Sequence, residues 1–261
     1  MTRAAAGLLI AAVIAALARR ASTLSITGAV AAVAVGVLAM AAGWDWGLLL
    51  IAFFVSSSAL SRAGVEIKEA RARGMLEKPG PRDAAQVVAN GGLFALAALL
   101  FMLDPWSGWR AAGAGALAAA TADTWGTEIG MLSRSEPRSI ATWQVAPHGQ
   151  SGAVTVMGLL ATVAGGAFVG LLSWLLGWDI AVAVAATIGG VFAATADSVM
   201  GARWQARRRC ARCNALTERR VHHCGAPTEH AGGTAWLDND GVNALAGVLG
   251  AGMAIAAWAL L

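Results

Sequence analysis

Two apolar runs decide the fold: GAVTVMGLLATVAGGAFVGLLSWLL at residues 152–176 and DIAVAVAATIGGVFAATADSVM at residues 179–200. A helix needs about 20 residues to cross the hydrocarbon core of a bilayer, and each run reaches that length. Lipid offers backbone groups no water to bind, so a spanning segment must satisfy them internally as a helix. The two residues between the runs, Gly177 and Trp178, therefore predict a tight turn between two membrane spans.

Six further apolar runs continue this pattern along the chain. They lie at 4–18, 24–42, 46–60, 86–103, 111–132 and 242–261. The chain is 57% hydrophobic and only 13% charged, which excludes an ordinary soluble domain. We therefore predict an all-α, polytopic transmembrane helical bundle of about eight helices. It forms a single domain over residues 1–261, with hydrophilic loops at 61–85, 133–150 and 201–240.

The positive charges predict the orientation of the bundle. With eight helices, seventeen of the 19 Lys and Arg residues fall on one side, and Arg3 and Arg110 fall on the other. Lys and Arg near helix ends favour the cytoplasm, so we expect the hydrophilic loops inside and both termini outside. The isoelectric point near 9.6 would also suit a nucleic-acid binder. Because the basic residues lie in loops between apolar runs, we predict the lipid bilayer as partner, in a prokaryotic inner membrane, and no nucleic acid.

Acidic residues within or at the ends of predicted helices are candidates for chemistry. Asp123, Glu128 and Asp197 occupy such positions, where an acid near the helix centre costs roughly 2.5 to 3.5 kcal/mol. Thr124 and Glu128 are four residues apart, so they share a helix face and offer hard oxygen ligands to a divalent cation. The alternative is that the acids are solvated, or paired with arginines, at cytoplasmic helix ends.

A polar stripe enters the membrane at the start of the fourth run. Asp83, Gln86 and Asn90 are spaced by three and then four residues, so they share a helix face. Lys78 and Arg82 lie at its amino end, where backbone N–H groups favour anions. The segment predicts a phosphate site. An Asp cap followed by a polar helix seam is an equal alternative.

Carboxylates and amides also gather before the last run. Asn239 and Asn243 are four residues apart, and Asp238 and Asp240 are adjacent to them. The segment lacks the closing Glu of an EF-hand loop, so we interpret it as part of a shared Mg²⁺ site. Helix capping by Asp and Asn is again the alternative.

The last hydrophilic loop carries every cysteine of the chain. Cys210, Cys213 and Cys224, with His222, supply the three thiolates and one imidazole of a common structural zinc site. Four protein ligands leave no open position, so such a Zn²⁺ would hold the loop together without catalysing. The alternative is three reduced, uncoupled cysteines.

Five motifs, in order, carry a resemblance to a known family. They are Arg82-Asp-Ala-Ala-Gln-Val-Val-Ala-Asn-Gly91, Ala122-Asp-Thr-Trp-Gly-Thr-Glu-Ile-Gly130, Gly149-Gln-Ser-Gly-Ala-Val154, Asp197-Ser-Val-Met-Gly-Ala202 and Leu237-Asp-Asn-Asp-Gly-Val-Asn243. With them the chain resembles a membrane family long labelled as of unknown function, which includes animal transmembrane protein nineteen and the plant phytyl-phosphate kinases. The cysteine segment is similar to a variable loop of that family.

The resemblance implies a kinase that converts an isoprenyl monophosphate to the diphosphate. The donor would be a nucleoside triphosphate, with CTP favoured by analogy, and Mg²⁺ would be the cofactor. On this interpretation the metal ligands are Asp123, Glu128, Asp197 and Asp240. The catalytic candidates are Asp123, Glu128, Asp83 and Asn90. The substrate- and nucleotide-binding candidates are Lys78, Arg82, Gln86, Thr124, Ser151, Ser198, Asn239 and Asn243.

Two other activities stay open from the sequence. Intramembrane acids and glycine-interrupted helices also occur in secondary transporters, although carriers place their sites near the midplane. A cytidylyltransferase that makes a CDP-activated lipid is the second alternative. A Walker-type ATPase, a serine nucleophile elbow, a His-Glu metalloprotease and a dinucleotide fingerprint are excluded, because their motifs are missing. The oligomeric state is open, with a homo-oligomer among the alternatives.

Overall fold

The computed structural model describes residues 3–72 and 80–261. Within them the chain forms nine helices: α1 (Arg3–Arg20), α2 (Ile26–Ala42), α3 (Trp44–Arg62), α4 (Val65–Ala72), α5 (Ala84–Leu103), α6 (Ser107–Gly130), α7 (Val156–Leu175), α8 (Ile180–Arg203) and α9 (Asn239–Trp258). The hydrophilic loops hold five short strands: β1 (Arg138–Ser139), β2 (Ala153–Val154), β3 (Arg207–Cys210), β4 (Leu216–Thr217) and β5 (Thr228–Gly232). β1 pairs with β2, and β3 lies between β4 and β5, all antiparallel. The predicted all-α helical bundle is confirmed.

Each predicted apolar run corresponds to one long helix. Of the described helices, α3, α5, α7, α8 and α9 are long and apolar enough to cross a membrane, and α2 is a shorter apolar helix. The boundaries differ from the apolar runs, because polar residues extend a helix: α6 begins at Ser107 and α9 at Asn239. The ninth helix, α4, lies in the predicted loop 61–85. Its charged sequence VEIKEARA gave no sign of a membrane helix.

Helix α6 lies at the centre of the bundle. Every residue from Ala111 to Ala122 is buried, and the helix packs against α5, α7, α8 and α9. Small side chains allow this close approach: a Cβ placed on Gly115 would lie 2.5 Å from the carbonyl oxygen of Gly250. A helix surrounded by other helices does not need lipophilic side chains, which explains why α6 is built mainly from Ala and Gly.

Three short turns meet at one end of the bundle. The indole Nε1 of Trp178 donates to Oδ2 of Asp45 at 2.6 Å, and Nη2 of Arg110 lies 3.7 Å from the same oxygen. The guanidinium of Arg110 also lies 4.7 Å from the ring centroid of Phe101. The turns that precede α3, α6 and α8 therefore lie at the same end of the bundle, in agreement with the distribution of Lys and Arg along the sequence. Their location outside the cell stays a prediction.

Four helices begin at the opposite end, and each begins with a side-chain cap. The capping residues of α2, α5, α7 and α9 each accept a hydrogen bond from a backbone N–H three residues later; they are Ser25, Asp83, Thr155 and Asp238. Such caps satisfy amide groups that have no partner within the helix. The partly positive amino ends of four helices consequently lie near the site described next.

Candidate functional site

A polar cavity of about 560 Å³ lies at this capped end. Its walls come from the beginnings of α5, α7 and α9, the ends of α3, α6 and α8, and the segments that precede α2 and α7. Ten sequence-predicted site residues line it: Arg82, Gln86, Asp123, Thr124, Glu128, Ser151, Asp197, Ser198, Asn239 and Asp240. Motifs that are far apart in the sequence therefore meet in one place.

Asp123 and Asp197 form the acidic side of the cavity. They project from α6 and α8, and both line the cavity. Oδ2 of Asp197 is buried and accepts no hydrogen bond from the residues that the structure describes. Asp240, at the start of α9, lines the same cavity. A buried carboxylate oxygen without a donor, beside a second carboxylate, fits a divalent cation such as Mg²⁺.

Glu128 lies on the other, cationic side of the cavity. Its Oε2 receives a hydrogen bond from Nζ of Lys68 at 2.6 Å, and its Oε1 receives one from Oγ of Ser61, also at 2.6 Å. Lys68 is buried and additionally donates to the carbonyl oxygens of Leu60 and Ser61. Both oxygens of Glu128 thus have donors, so this acid is less suited to a metal than Asp123 or Asp197. Its metal role stays a prediction.

Arg82 brings a second cation to this side. Its Nη2 donates to Oγ of Ser61 at 3.1 Å, and its backbone bonds with Thr23 and Ser25 fix its position beside α2. Burial lowers the pKa of Arg82, and the negative charge of Glu128 opposes that shift. Because the ordinary pKa of arginine is so high, the guanidinium stays charged and is available to an anion.

The structure adds cavity residues that the sequence motifs did not reveal. Lys68, on α4, is one of two lysines in the chain, and this rarity was the available signal. Glu218 is buried and binds Ser151: its Oε1 accepts from the Ser151 backbone N at 3.2 Å and from Oγ at 2.5 Å. Its Oε2 accepts from Nε2 of Gln205 at 3.0 Å. Nothing in the sequence indicated these contacts, which join residues distant along the chain.

His148 is another lining residue, from the loop 133–150. Burial and the nearby Arg71 lower the pKa of His148. Arg71 is held by the carbonyl oxygens of Met131 and Ser133, each at 2.6 Å. The imidazole is therefore neutral near pH 7, where it can exchange a proton or a hydrogen bond without adding charge.

Of the residues predicted for the kinase site and described by the structure, three do not line this cavity: Asp83, Asn90 and Asn243. Asp83 forms a reciprocal capping box with Gln86, as the capping alternative proposed. Asn90 donates from Nδ2 to the Gln86 carbonyl oxygen at 3.0 Å. Asn243 lies one turn into α9, beyond the described lining of the cavity. Lys78 lies outside the described residues.

A narrow apolar groove of about 90 Å³ adjoins the polar cavity. It runs between α1, α2, α3 and α5, and its walls are mainly aliphatic and aromatic. Arg82 and Gln86 line both spaces, so they form the boundary between them.

The predicted zinc ligands lie elsewhere, in the loop 201–240: one ligand atom from each of Cys210, Cys213, His222 and Cys224 falls within 4.8 Å of the others.

Comparisons with known proteins place the chain among membrane proteins. The profile of the family described as "Integral membrane protein DUF92" matches residues 9–251. An uncharacterised membrane protein of Methanocaldococcus jannaschii is 37% identical over 61% of this chain, which spans 65% of that protein's length.

Two further relatives come from photosynthetic organisms. Protein PGR of Arabidopsis thaliana is 30% identical over 85% of this chain and 84% of its own length. An uncharacterised membrane protein of Synechocystis is 33% identical over 65% of this chain and 67% of its own length. No solved structure matches the chain.

Proposed function

The chain belongs to the DUF92 family of integral membrane proteins, and on that premise we propose that it is a membrane-embedded kinase of isoprenyl monophosphates. The donor is CTP or another nucleoside triphosphate, and the lipid product is the prenyl diphosphate. The observation that carries the proposal is the shared boundary of two unlike spaces: a polar cavity with acids and cations adjoins an apolar groove at Arg82 and Gln86. A phosphate head suits the polar cavity, and the groove has room for the part of an apolar tail nearest to that head.

Asp123 and Asp197, with Asp240, are the residues that would hold Mg²⁺. The bound ion supplies charge neutralisation on the nucleotide phosphates. Two observations support this assignment: Oδ2 of Asp197 accepts no hydrogen bond from the described residues, and Asp123 brings a second carboxylate to the same cavity. A divalent cation would bind both groups. Arg82 and the amino ends of the capped helices then face the phosphate groups.

The transfer needs positioning more than acid–base chemistry. The bond between the donor's terminal phosphorus and its bridging oxygen breaks, and an oxygen of the prenyl monophosphate forms a new bond to that phosphorus. The leaving group is the nucleoside diphosphate. An acceptor phosphate is largely ionised near pH 7, since its second pKa is about 6, so no strong general base is required. Alignment and charge neutralisation provide the rate enhancement.

The decisive experiment incubates purified protein in detergent with Mg²⁺, labelled CTP or ATP, and phytyl or geranylgeranyl monophosphate. We expect labelled prenyl diphosphate together with CDP or ADP. Asp197→Asn should lower the rate by about 100-fold or more, because it removes preorganised charge from the site. Asp179→Asn is the matched control: Asp179 caps the same helix at its other end, and Asn caps helices equally well.

Other products would identify other activities. Release of diphosphate with a CDP-lipid would replace the kinase by a cytidylyltransferase. Absence of nucleotide consumption with any prenyl phosphate would contradict both enzymes and favour a carrier.

The groove gives an independent test of the prenyl tail. Ala32 lines the groove, whereas Ala34 on the same helix is exposed on the outer surface. We expect Ala32→Phe to raise the KM for geranylgeranyl phosphate about tenfold, by obstructing a few methylene contacts worth roughly 0.8 kcal/mol each. Ala34→Phe should leave the KM unchanged. Equal effects of both variants would show that the tail does not use this groove.

A further inference from the structure

The loop between α8 and α9 folds as a small three-stranded sheet of β3, β4 and β5, here called the ribbon. The ribbon has no apolar core of its own. Of residues 206–234, all of which the structure describes, Cys210 supplies the one buried apolar side chain. The other buried side chains are polar, namely those of Thr217, Glu218, His222 and Thr228. Fewer than about 40 residues rarely hold a fold without a disulfide, a metal or a partner. The three strands of the ribbon therefore need another source of stability.

The cluster of Cys210, Cys213, His222 and Cys224 has the geometry of a metal site, and a bound metal ion would stabilise the ribbon. Sγ of Cys210 and Sγ of Cys224 are 3.6 Å apart, and Nδ1 of His222 lies 3.2 Å from the Cys224 sulfur. A disulfide bond would bring two sulfurs to about 2.05 Å. Ligands of one tetrahedral Zn²⁺ lie about 3.5 to 3.8 Å apart, as follows from Zn–S and Zn–N distances near 2.3 and 2.0 Å. The separation of the two sulfurs falls in this range, and the separation of the His222 nitrogen from the Cys224 sulfur is about 0.3 Å shorter than it, so a bound ion would need only a small shift of the imidazole.

Two tight turns present these ligands. In the first, the backbone N of Cys213 points to Sγ of Cys210 at 3.4 Å, and Asn214 adopts a positive φ of 55°. In the second, the N–H of Gly225 donates to the His222 carbonyl oxygen at 2.9 Å, and Gly225 has a φ of 80°. Each turn brings two candidate ligands close together, as the ligands of one metal ion must be.

The positive charge of the ribbon also favours a metal site with thiolate ligands. Six arginines lie between residues 207 and 220: Arg207, Arg208, Arg209, Arg212, Arg219 and Arg220. Their mutual repulsion opposes the compact ribbon, whereas a cationic environment stabilises thiolates. Three thiolates with one Zn²⁺ carry a net negative charge, which offsets part of that repulsion.

The ribbon also reaches the polar cavity. Glu218 follows β4 directly, and through Ser151 and Gln205 it joins the ribbon to the cavity wall. We propose that Cys210, Cys213, His222 and Cys224 bind one structural Zn²⁺, which folds the ribbon so that Glu218 positions the Ser151 loop. Glu218 is a positioning residue in this scheme. The proposal goes beyond the kinase activity and does not depend on it.

Metal content is the first measurement. Elemental analysis of the purified full chain should give about one zinc per molecule, and Co²⁺ substitution should give the absorption of a tetrahedral thiolate site. His222→Ala should abolish both signals, whereas His223→Ala should keep them, because His223 is adjacent and exposed but outside the cluster. Three thiols that react freely in the native protein, with no bound metal and no cobalt spectrum, would overturn the proposal.

Hydrogen–deuterium exchange tests the link to the cavity without an activity assay. Removing zinc from the wild-type protein with a chelator should accelerate exchange in the peptide that contains Ser151 about tenfold, equivalent to roughly 1.4 kcal/mol of local stability. Glu218→Ala should do the same with zinc still bound. Glu218→Gln should retain most of the protection, since its carbonyl oxygen still accepts from Ser151. Unchanged exchange in both the chelated protein and Glu218→Ala would refute the positioning role.

Discussion

At the residue scale, the Lys68–Glu128 pair shows how charge is accommodated beside the membrane. The amine is surrounded by three acceptors, two of them backbone carbonyl oxygens at the end of α3. The side chain of Lys68 is 8% exposed and that of Glu128 is 22% exposed. The pair joins α4 to α6, so it supports the cavity wall and also sets its charge.

We expect removal of either partner to destabilise the protein. Lys68→Met or Glu128→Gln leaves one buried charge without its partner, which costs about 3 to 5 kcal/mol in a fully buried pair and less here because Glu128 keeps some solvent. The double variant should cost less than the sum of the single changes. Thermal unfolding in detergent measures these differences, with Glu66→Gln on the exposed face of α4 as the control. Strictly additive shifts would contradict the pairing.

The same pair marks the limit of what the sequence could predict at this scale. Asp123, Glu128 and Asp197 could be singled out because an acid inside an apolar run is costly wherever it points. Their partners could not be identified, since Lys68 is 60 residues away from Glu128 in the sequence. Asp83 illustrates a second limit: the sequence left open whether its segment forms a helix cap with a polar seam or lines a phosphate site, and the structure adds that Asp83 forms a capping box with Gln86.

At the element scale, glycine and alanine determine how closely the central helices pack. Gly250 on α9 faces α6 so closely that an added Cβ would lie 2.7 Å from the Gly115 carbonyl oxygen and 3.0 Å from the Ala119 Cβ. Backbone atoms cannot move aside as a flexible side chain can. The helix axes would have to separate instead, and the cavity walls carried by α6 and α9 would separate with them.

Gly250→Ala and Gly252→Ala make a matched test of this packing. We expect Gly250→Ala to destabilise the protein by about 1 to 3 kcal/mol through overpacking. Gly252, half a turn further along α9, has nothing within 4 Å of an added Cβ. Its change to Ala should be neutral, or stabilising by up to about 1 kcal/mol from helix propensity. Equal melting temperatures for the two variants would show that α6 and α9 do not pack as described.

Elements were predicted well where a run is long and apolar, and poorly where it is short and charged. Eight long helices follow from the need to satisfy the backbone in lipid. Helix α4 and the β3–β4–β5 ribbon do not have this constraint, so the sequence left them as loops. Those two segments nevertheless supply Lys68 and Glu218 to the cavity wall, and the loop 133–150 supplies His148. The sequence therefore did not reveal Lys68 and Glu218, because it did not predict the structure of the segments that carry them.

At the scale of the whole molecule, the bundle has two unlike ends. One end is tied by Asp45, Trp178 and Arg110, close to the aromatic ring of Phe101. The other holds the capped helix starts, the cavity and the arginine-rich ribbon. The Lys and Arg count from the sequence and the clustering of turns in the structure agree on this division. The Lys and Arg count further predicts that the charged end faces the cytoplasm.

Fusions of reporter proteins settle that orientation. If the charged end is cytoplasmic, green fluorescent protein fused after Arg134 should fluoresce, and alkaline phosphatase fused after Trp178 or Leu261 should be active, because the enzyme folds where disulfides form. Exchanging the reporters provides the control, and each exchanged fusion should be silent. The reverse pattern would place the cavity outside the cell, where nucleoside triphosphates are scarce, and would remove the physical basis for a kinase while leaving the helical bundle intact.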